Sequence, residues 1–227
     1  MTLTAITGGS MDDPISAYAR VLAIPAALAL DPFALPLMAA LATKFGLLND
    51  PLLAQPPFDL LQRWDVILIL GGVYLLHVAA DKIPPMAHLF DALGVVAKPV
   101  IGGLAAFYAA RGLEGAAGAP GALAYAAGGF GAIAAFIIHG MRAKVRTTAS
   151  MTTAGAAHPF MSAAENVWAA IFSGLVLWAP LVAAVSGLVL AVGTWLFIFL
   201  ALKATKGVAR FAGGLAERAL SATRGRT

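Results

Sequence analysis

The chain contains no cysteine, which excludes disulfides, thiolate metal sites and a cysteine nucleophile. Histidine is scarce too. The four present are too few and too dispersed to mark a metal centre, so neither a metal nor another cofactor is expected. The shortage that matters most is charge. Only 11% of residues are Asp, Glu, Lys or Arg, 60% are hydrophobic, and the mean hydropathy is +0.86, whereas a soluble domain carries about 25% charged residues. A surface so poor in charge is not solvated by water over most of its area, and the expected solvent is lipid. In a soluble protein the net charge of +4 would point to nucleic acid. Here it reads as topology, because Lys and Arg collect on the cytoplasmic side of membrane proteins, and no nucleic-acid partner is expected. A secretory leader is not expected either, since Asp12 and Asp13 come first and Pro25 interrupts the apolar run after Arg20.

A helix needs about 20 apolar residues to cross a hydrocarbon core about 30 Å thick. Runs of that kind fall near 64–81, 95–111, 121–140, 164–179 and 181–202. Residues 15–48 are also apolar but hold Pro25, Asp31-Pro32 and Pro36. They form either one span preceded by an interfacial helix or a tight hairpin. The Asp-Pro step favours a break, because the residue before proline avoids the α region. The expected fold class is therefore all-α: a polytopic transmembrane helical bundle of about six spans over residues 15–206, with an N-terminal tail (1–14) and a basic tail (207–227). Lys203, Lys206, Arg210, Arg218, Arg224 and Arg226 follow the last run with only Glu217 against them, which places the C-terminus in the cytoplasm. Residues 207–220 have the pattern of an amphipathic interfacial helix.

The scarce charge is not scattered. Counting back from the tail, two stretches fall on the cytoplasmic side, "HVAADKIPPMAHLFDALGVVAKP" from His77 to Pro99 and "HGMRAKVRTTASMTTAGAAHPFMSAAEN" from His139 to Asn166. These are read as two polar hairpin segments. Within them His77 and Asp81 are four apart and share a helix face, as do His139, Arg142 and Arg146; Asp91 and Lys98 are two turns apart. Adjacent Asp81 and Lys82 cannot face each other. Ionisable groups at membrane depth are costly unless paired or wetted, so they point inward and mark sites or pathways. The candidate binding residues are Asp81, Lys82, His88, Asp91, Lys98, His139, Arg142, Arg146 and Glu165. Lys and Arg also serve as headgroup anchors; the acids have no such role on an anionic leaflet.

Other features read as structural. Gly71-Gly72, Gly102-Gly103 and Gly128-Gly129-Phe130-Gly131 are expected on helix-packing faces, and no phosphate-loop pattern accompanies them. Ser162 and Glu165 form an S-A-A-E capping box, which would start a helix at 163. Trp64 and Trp178 suit the outer membrane boundary.

The stretch "ADKIPPMAHLFDALGVVAKPVIGG" also resembles the signature of a bacterial membrane-protein family known as domain of unknown function forty-one twenty-six. That signature runs D-K-I-P, H-L-W-D-A-L, then a basic residue before proline. Asp81, Lys82, Ile83, Pro84, His88, Leu89, Asp91, Ala92, Leu93, Lys98 and Pro99 fit it, with Phe90 in place of the aromatic Trp. Pro36, Lys44, Phe45 and Gly46 are similar to an earlier motif, and His139, Arg142, Ala143 and Arg146 to an H-x-x-K-A-x-x-R. Glu165 is similar to the first acid of an E-D-V segment. The resemblance covers roughly residues 30–200. It implies a compact multi-span fold in a bacterial membrane and a shared polar centre, and it brings no activity with it.

The first expectation is a small carrier or channel-like protein of the bacterial cytoplasmic (inner) membrane. Asp81, Asp91 and Glu165 would be its proton or cation sites, and Lys82, Lys98, Arg142 and Arg146 would hold a small anionic solute or lipid headgroup. Its partners would be membrane lipid and a second copy packed through the Gly/Ala faces. The rival is a non-catalytic accessory subunit of a larger membrane complex, with other membrane subunits as partners. An enzyme with Asp81 or His88 as base ranks third, because no nucleophile or metal constellation is recognisable. The carrier reading requires the charges to face an internal cavity; the accessory reading requires them on the cytoplasmic rim.

Overall fold

The computed structural model of the protein describes residues 14–114, 120–153, 156, 158–190, 192, 193 and 196. The chain divides into two compact units, Met1–Ala191 and Val192–Thr227. Only residues 192, 193 and 196 of the second unit are described; the seven helices given below belong to the first. The expected N-terminal tail (except Pro14), most of residues 191–202 and the basic tail with its amphipathic helix lie outside the described residues.

Seven α-helices and no strand occur among the described residues: α1 (Pro14–Leu30), α2 (Ala34–Lys44), α3 (Trp64–Ala80), α4 (Pro84–Glu114), α5 (Ala122–Thr152), α6 (His158–Trp178) and α7 (Pro180–Leu190). Two short 3-10 turns, Pro51–Ala54 and Phe58–Gln62, join α2 to α3. Three stretches are long and apolar enough to cross a membrane: Pro85–Glu114, Ala122–Thr148 and His158–Trp178. The all-α class therefore holds.

The N-terminal region consists of two helices, α1 and α2, with the break where the Asp-Pro step favours it. Asp31-Pro32 breaks it: Asp31 Oδ1 accepts the backbone N–H of Phe33 (2.8 Å) and Ala34 (3.0 Å), capping the start of α2. α1 is apolar apart from Ser16 and Arg20 and is buried continuously from Ala23 to Ala29; it packs on α4, α5 and α6. α4 and α5 form the main helix pair, and glycines set their approach. A Cβ on Gly102 would lie 2.9 Å from Ala135 Cβ, and one on Gly131 would lie 2.8 Å from Ala106 Cβ and 3.0 Å from Pro25 Cγ of α1. Gly102, Gly103, Gly128 and Gly131 are thus packing glycines, used within one chain. Gly72 and Gly129 have nothing within 4 Å of a would-be Cβ, and Gly71 meets only Leu37 Cδ1 at 4.0 Å, so the expectation of close packing does not hold for those three within the chain. Glu114 at the end of α4 accepts the N–H groups of Gly121 (2.9 Å) and Leu123 (3.0 Å), which caps the start of α5.

The two polar stretches are less loop than expected. α4 begins at Pro84, as suits a proline in the first turn, and runs through Asp91, Lys98 and Pro99 without a break. α5 continues through Arg142 and Arg146 to Thr152. The turn between α3 and α4 shrinks to residues 81–83, α5 runs to Thr152 and α6 begins at His158, so the charged residues sit on helix faces.

Candidate functional site

Arg146 is the hub. It lies on α5 one turn beyond Arg142, and its guanidinium reaches three carboxylates from three places in the chain. Nη1 donates to Asp81 Oδ1 (2.7 Å) and Nη2 to Asp81 Oδ2 (3.2 Å), a bidentate pair with the residue that ends α3. Nη1 also reaches Asp91 Oδ2 of α4 (3.4 Å), and Nη2 bonds Glu165 Oε2 of α6. Arg142 shares the same Glu165 oxygen through Nε (2.9 Å) and Nη2 (2.8 Å).

The opposite wall is the C-terminus of α1. The last carbonyls of a helix lack intrahelical donors and carry partial negative charge. Lys98 Nζ donates to Ala29 O (2.9 Å) and Leu30 O (3.4 Å), and Arg142 Nη1 also donates to Leu30 O. Cations from α4 and α5 thereby cap α1. Lys82 and Asp81, adjacent in the chain, meet only through Ser162: its hydroxyl donates to Asp81 Oδ2 (2.7 Å) and accepts from Lys82 Nζ (3.0 Å).

Two histidines brace the backbone of this region. His139 Nε2 donates to Asp91 O (2.9 Å), with its ring held against Gly94, where a Cβ would come within 2.7 Å of it. His158 Nε2 donates to Asp81 O (3.1 Å). A third, His77, does not bond Asp81 as its spacing allowed. Its Nε2 lies 3.8 Å from Asp31 Oδ2, while Asp81 is taken by Arg146 and Ser162.

The network is interior. Asp31 is 0% exposed, Asp81 and Arg146 1%, and Lys98 6%. Beside it lies a cavity of about 140 Å³ whose ionisable lining is His77, Asp81, Asp91, Lys98, Arg142 and Arg146, with Phe33 and Phe90 among the apolar walls. With the histidines neutral, four carboxylates (Asp31, Asp81, Asp91, Glu165) stand against four cations (Lys82, Lys98, Arg142, Arg146), so the cluster carries no net formal charge. Among the described residues, no group of three or more His, Asp or Glu side chains is arranged to hold a metal ion.

Of the expected site residues, Asp81, Asp91, Arg142, Arg146 and Glu165 are brought together directly, and Lys98 joins through the Leu30 carbonyl that it shares with Arg142. Lys82 joins through Ser162 and His139 through a backbone carbonyl. His88 does not join: it is exposed, its ring 6.4 Å from that of His158. Asp31, His158 and Ser162 were not among the residues expected in the site, nor was His77. A lone Asp inside the apolar run 15–48 was the available signal for Asp31; its proline neighbour made it read as a turn residue. Ser162 corrects the capping-box expectation. α6 starts at His158, four residues earlier, so Ser162 is a buried interior position rather than an N-cap.

The match to the family described as Domain of unknown function (DUF4126) covers residues 20–203. The chain belongs to this family. The DUF4126 match takes in every residue of the cluster, from Asp31 to Glu165, so the polar centre lies within the family domain. No curated protein and no solved structure matches the chain.

Proposed function

We propose that this DUF4126 protein is an integral protein of the bacterial cytoplasmic membrane that carries a small anionic solute, or the headgroup of an anionic lipid, through the centre built on Arg146. α3 to α7 and the α1–α2 pair provide the roughly six passes. The basic residues that close the sequence favour a cytoplasmic C-terminus. One observation supports carriage over a rim-docking role: the cavity is walled by His77, Asp81, Asp91, Lys98, Arg142 and Arg146, and the hub residues are buried. Charges kept at this depth are expensive and are the usual mark of a pathway. A cavity of about 140 Å³ is the liquid volume of about four or five waters, which suits a single small oxyanion.

The test is counterflow of labelled phosphate, sulfate and methanesulfonate in proteoliposomes. Uptake of at least one is expected, and Asp81→Asn and Arg142→Gln should abolish it while expression and oligomeric state stay intact. Absence of uptake for all three anions would overturn the reading, as would collapse of the fold in both variants, which would make the centre structural.

A second reading, an accessory subunit, draws on α3. Only Ile67 and His77 of that helix are buried, while Leu68, Ile69, Leu75 and Leu76 are open. Native mass spectrometry of the protein extracted with its lipid separates the two: a homo-oligomer retaining an anionic lipid or metabolite fits the carrier, and a stoichiometric foreign subunit fits the accessory role.

A further inference from the structure

We infer that His77, paired with Asp31, is a proton-binding site, and that the proton enters together with the anion; this rests on the anion site proposed above. The pair differs from the rest of the cluster in having hydrogen-bonding capacity left over on both sides of one contact. Among the described residues neither ring nitrogen of His77 has a hydrogen-bond partner, nor does Asp31 Oδ2, although all are buried. Buried polar atoms are normally satisfied, and those that are not call for a specific cause. Asp31 cannot turn away, since its Oδ1 is committed to the N–H groups of Phe33 and Ala34. The imidazole cannot easily turn either, because Phe33 (centroids 5.4 Å apart) and Phe90 (5.2 Å) meet it edge-on from two sides. The neutral ring carries one N–H; a second proton makes both nitrogens donors and turns the Nε2–Oδ2 contact, 3.8 Å long, into a charge-assisted pair inside the salt-bridge range.

The charge balance gives the proton its role. His77 lines the cavity and is faced by Asp31 from the α1–α2 turn, Asp81 at the end of its own helix, Lys98 from α4 and Arg142 from α5. With His77 neutral, the carboxylates and cations of the cluster cancel. A monoanion entering the cavity leaves one uncompensated negative charge in a region with little water, and such a charge is strongly disfavoured. One proton taken up from solution by His77 restores neutrality at the cavity wall, and its release frees the anion. No bond other than this N–H forms or breaks. The other histidines are less suited. His139 and His158 each brace a backbone carbonyl through Nε2–H and neither lines the cavity, and His88 is exposed.

The experiment is proton uptake by the purified full-length chain in lipid nanodiscs, in weak buffer with a pH indicator, on addition of methanesulfonate, which keeps a single negative charge across the working range. Binding is measured in parallel by calorimetry. One proton taken up per anion bound is expected for the wild type, with the uptake lost in His77→Gln. Asp31→Asn is the second variant, because Asn keeps the oxygen that caps α2 and removes only the charge; it too should lose the uptake. Binding without proton uptake would overturn the inference and leave the anion site standing, and so would uptake that persists in both variants. If methanesulfonate, sulfate and phosphate all fail to bind, the anion site falls, and the inference with it.

Discussion

The molecule holds buried ionic chemistry at both ends of α1, and the two ends are built differently. Near the start of the helix Arg20 Nη1 donates to Asp50 Oδ2 at 2.5 Å, both side chains buried. Asp50 also accepts the N–H of Leu52 (3.0 Å), which fixes the turn after α2. The pair borders a cavity of about 230 Å³ whose remaining walls are almost wholly apolar. Ten residues along, about 15 Å up the helix axis, the C-terminus of α1 meets Lys98 and Arg142 and, beyond them, the Arg146 hub. At the first end one cation serves one anion, and the contact ties the α2–α3 connection to the central helix. At the second, Arg146 is divided among three carboxylates, Glu165 is divided between two arginines, and the His77–Asp31 pair, with Oδ2 and both ring nitrogens outside hydrogen-bond reach among the described residues, stands alongside. A closed pair has one arrangement. A shared hub has several of similar quality, because any one carboxylate is replaceable by another, or by an incoming anion, without leaving the guanidinium bare.

That contrast sets the largest predicted effects. Arg146→Ala should leave Asp81 and Asp91 without a cation and Glu165 with Arg142 alone, whereas Arg20→Ala should strip one carboxylate. Each leaves buried charge unpaired, at about 3–5 kcal/mol per broken pair, so the Arg146 variant should be the less stable of the two in SDS-induced unfolding from mixed micelles. The decisive comparison is rescue. Replacing a buried pair by apolar residues of similar volume is often neutral or stabilising, so Arg20→Met with Asp50→Leu should return to within about 1 kcal/mol of wild type and retain anion uptake. The matching double replacement, Arg146→Met with Asp81→Leu, should not recover stability, because Asp91 and Glu165 remain. Equal rescue at both ends would erase the distinction between closed pair and hub.

How much of this was legible in the sequence depends on what periodicity encodes. Helix faces are local, so the spacing of His139, Arg142 and Arg146 placed them correctly on one face of α5, and Asp91 with Lys98 on one face of α4. The break at Asp31-Pro32 was legible because proline chemistry is local too. Partners are not. Nothing in the spacing says that Lys98 reaches back to the carbonyls of Ala29 and Leu30, since backbone acceptors leave no residue signature. Ser162 shows the same limit: a capping box and a mid-helix serine look alike until the first residue of α6 is known. Asp31 was visible as a rare acid in an apolar run, but its turn role hid the second oxygen that faces His77. The glycines divide for a related reason. Small residues advertise that a close approach is available, and only the three-dimensional arrangement decides that Gly102 and Gly131 use it while Gly72 does not.

A smaller effect tests whether the histidine braces belong to the hub or merely sit beside it. His139 is seated by Gly94, and a Cβ there would come within 2.7 Å of the imidazole. Gly94→Ala should push the ring off Asp91 O at a cost of about 1–3 kcal/mol, the usual range for overpacking. Because Asp91 is one of the three carboxylates on Arg146, displacing its backbone brace should also weaken anion binding. A gain or no change in both readouts would show that the His139–Asp91 contact is incidental to the hub.

The smallest effect is expected at His88, and it is the most discriminating against the sequence pattern itself. His88 lies in the same motif as Asp81, Lys82 and Asp91, so a reading by motif gives it the same weight. The fold does not: α4 turns its ring outward, beside His158 and away from Arg146. An exposed side chain without such partners usually matters by less than about 0.5 kcal/mol, so His88→Ala should leave unfolding, anion uptake and proton uptake unchanged, in contrast to His77→Gln on the preceding helix. A loss of uptake in His88→Ala with stability intact would mean that the polar centre extends past His158 to the molecular surface. In that case the exposed histidine would be its entrance, and the buried hub would be only the inner part of a longer site.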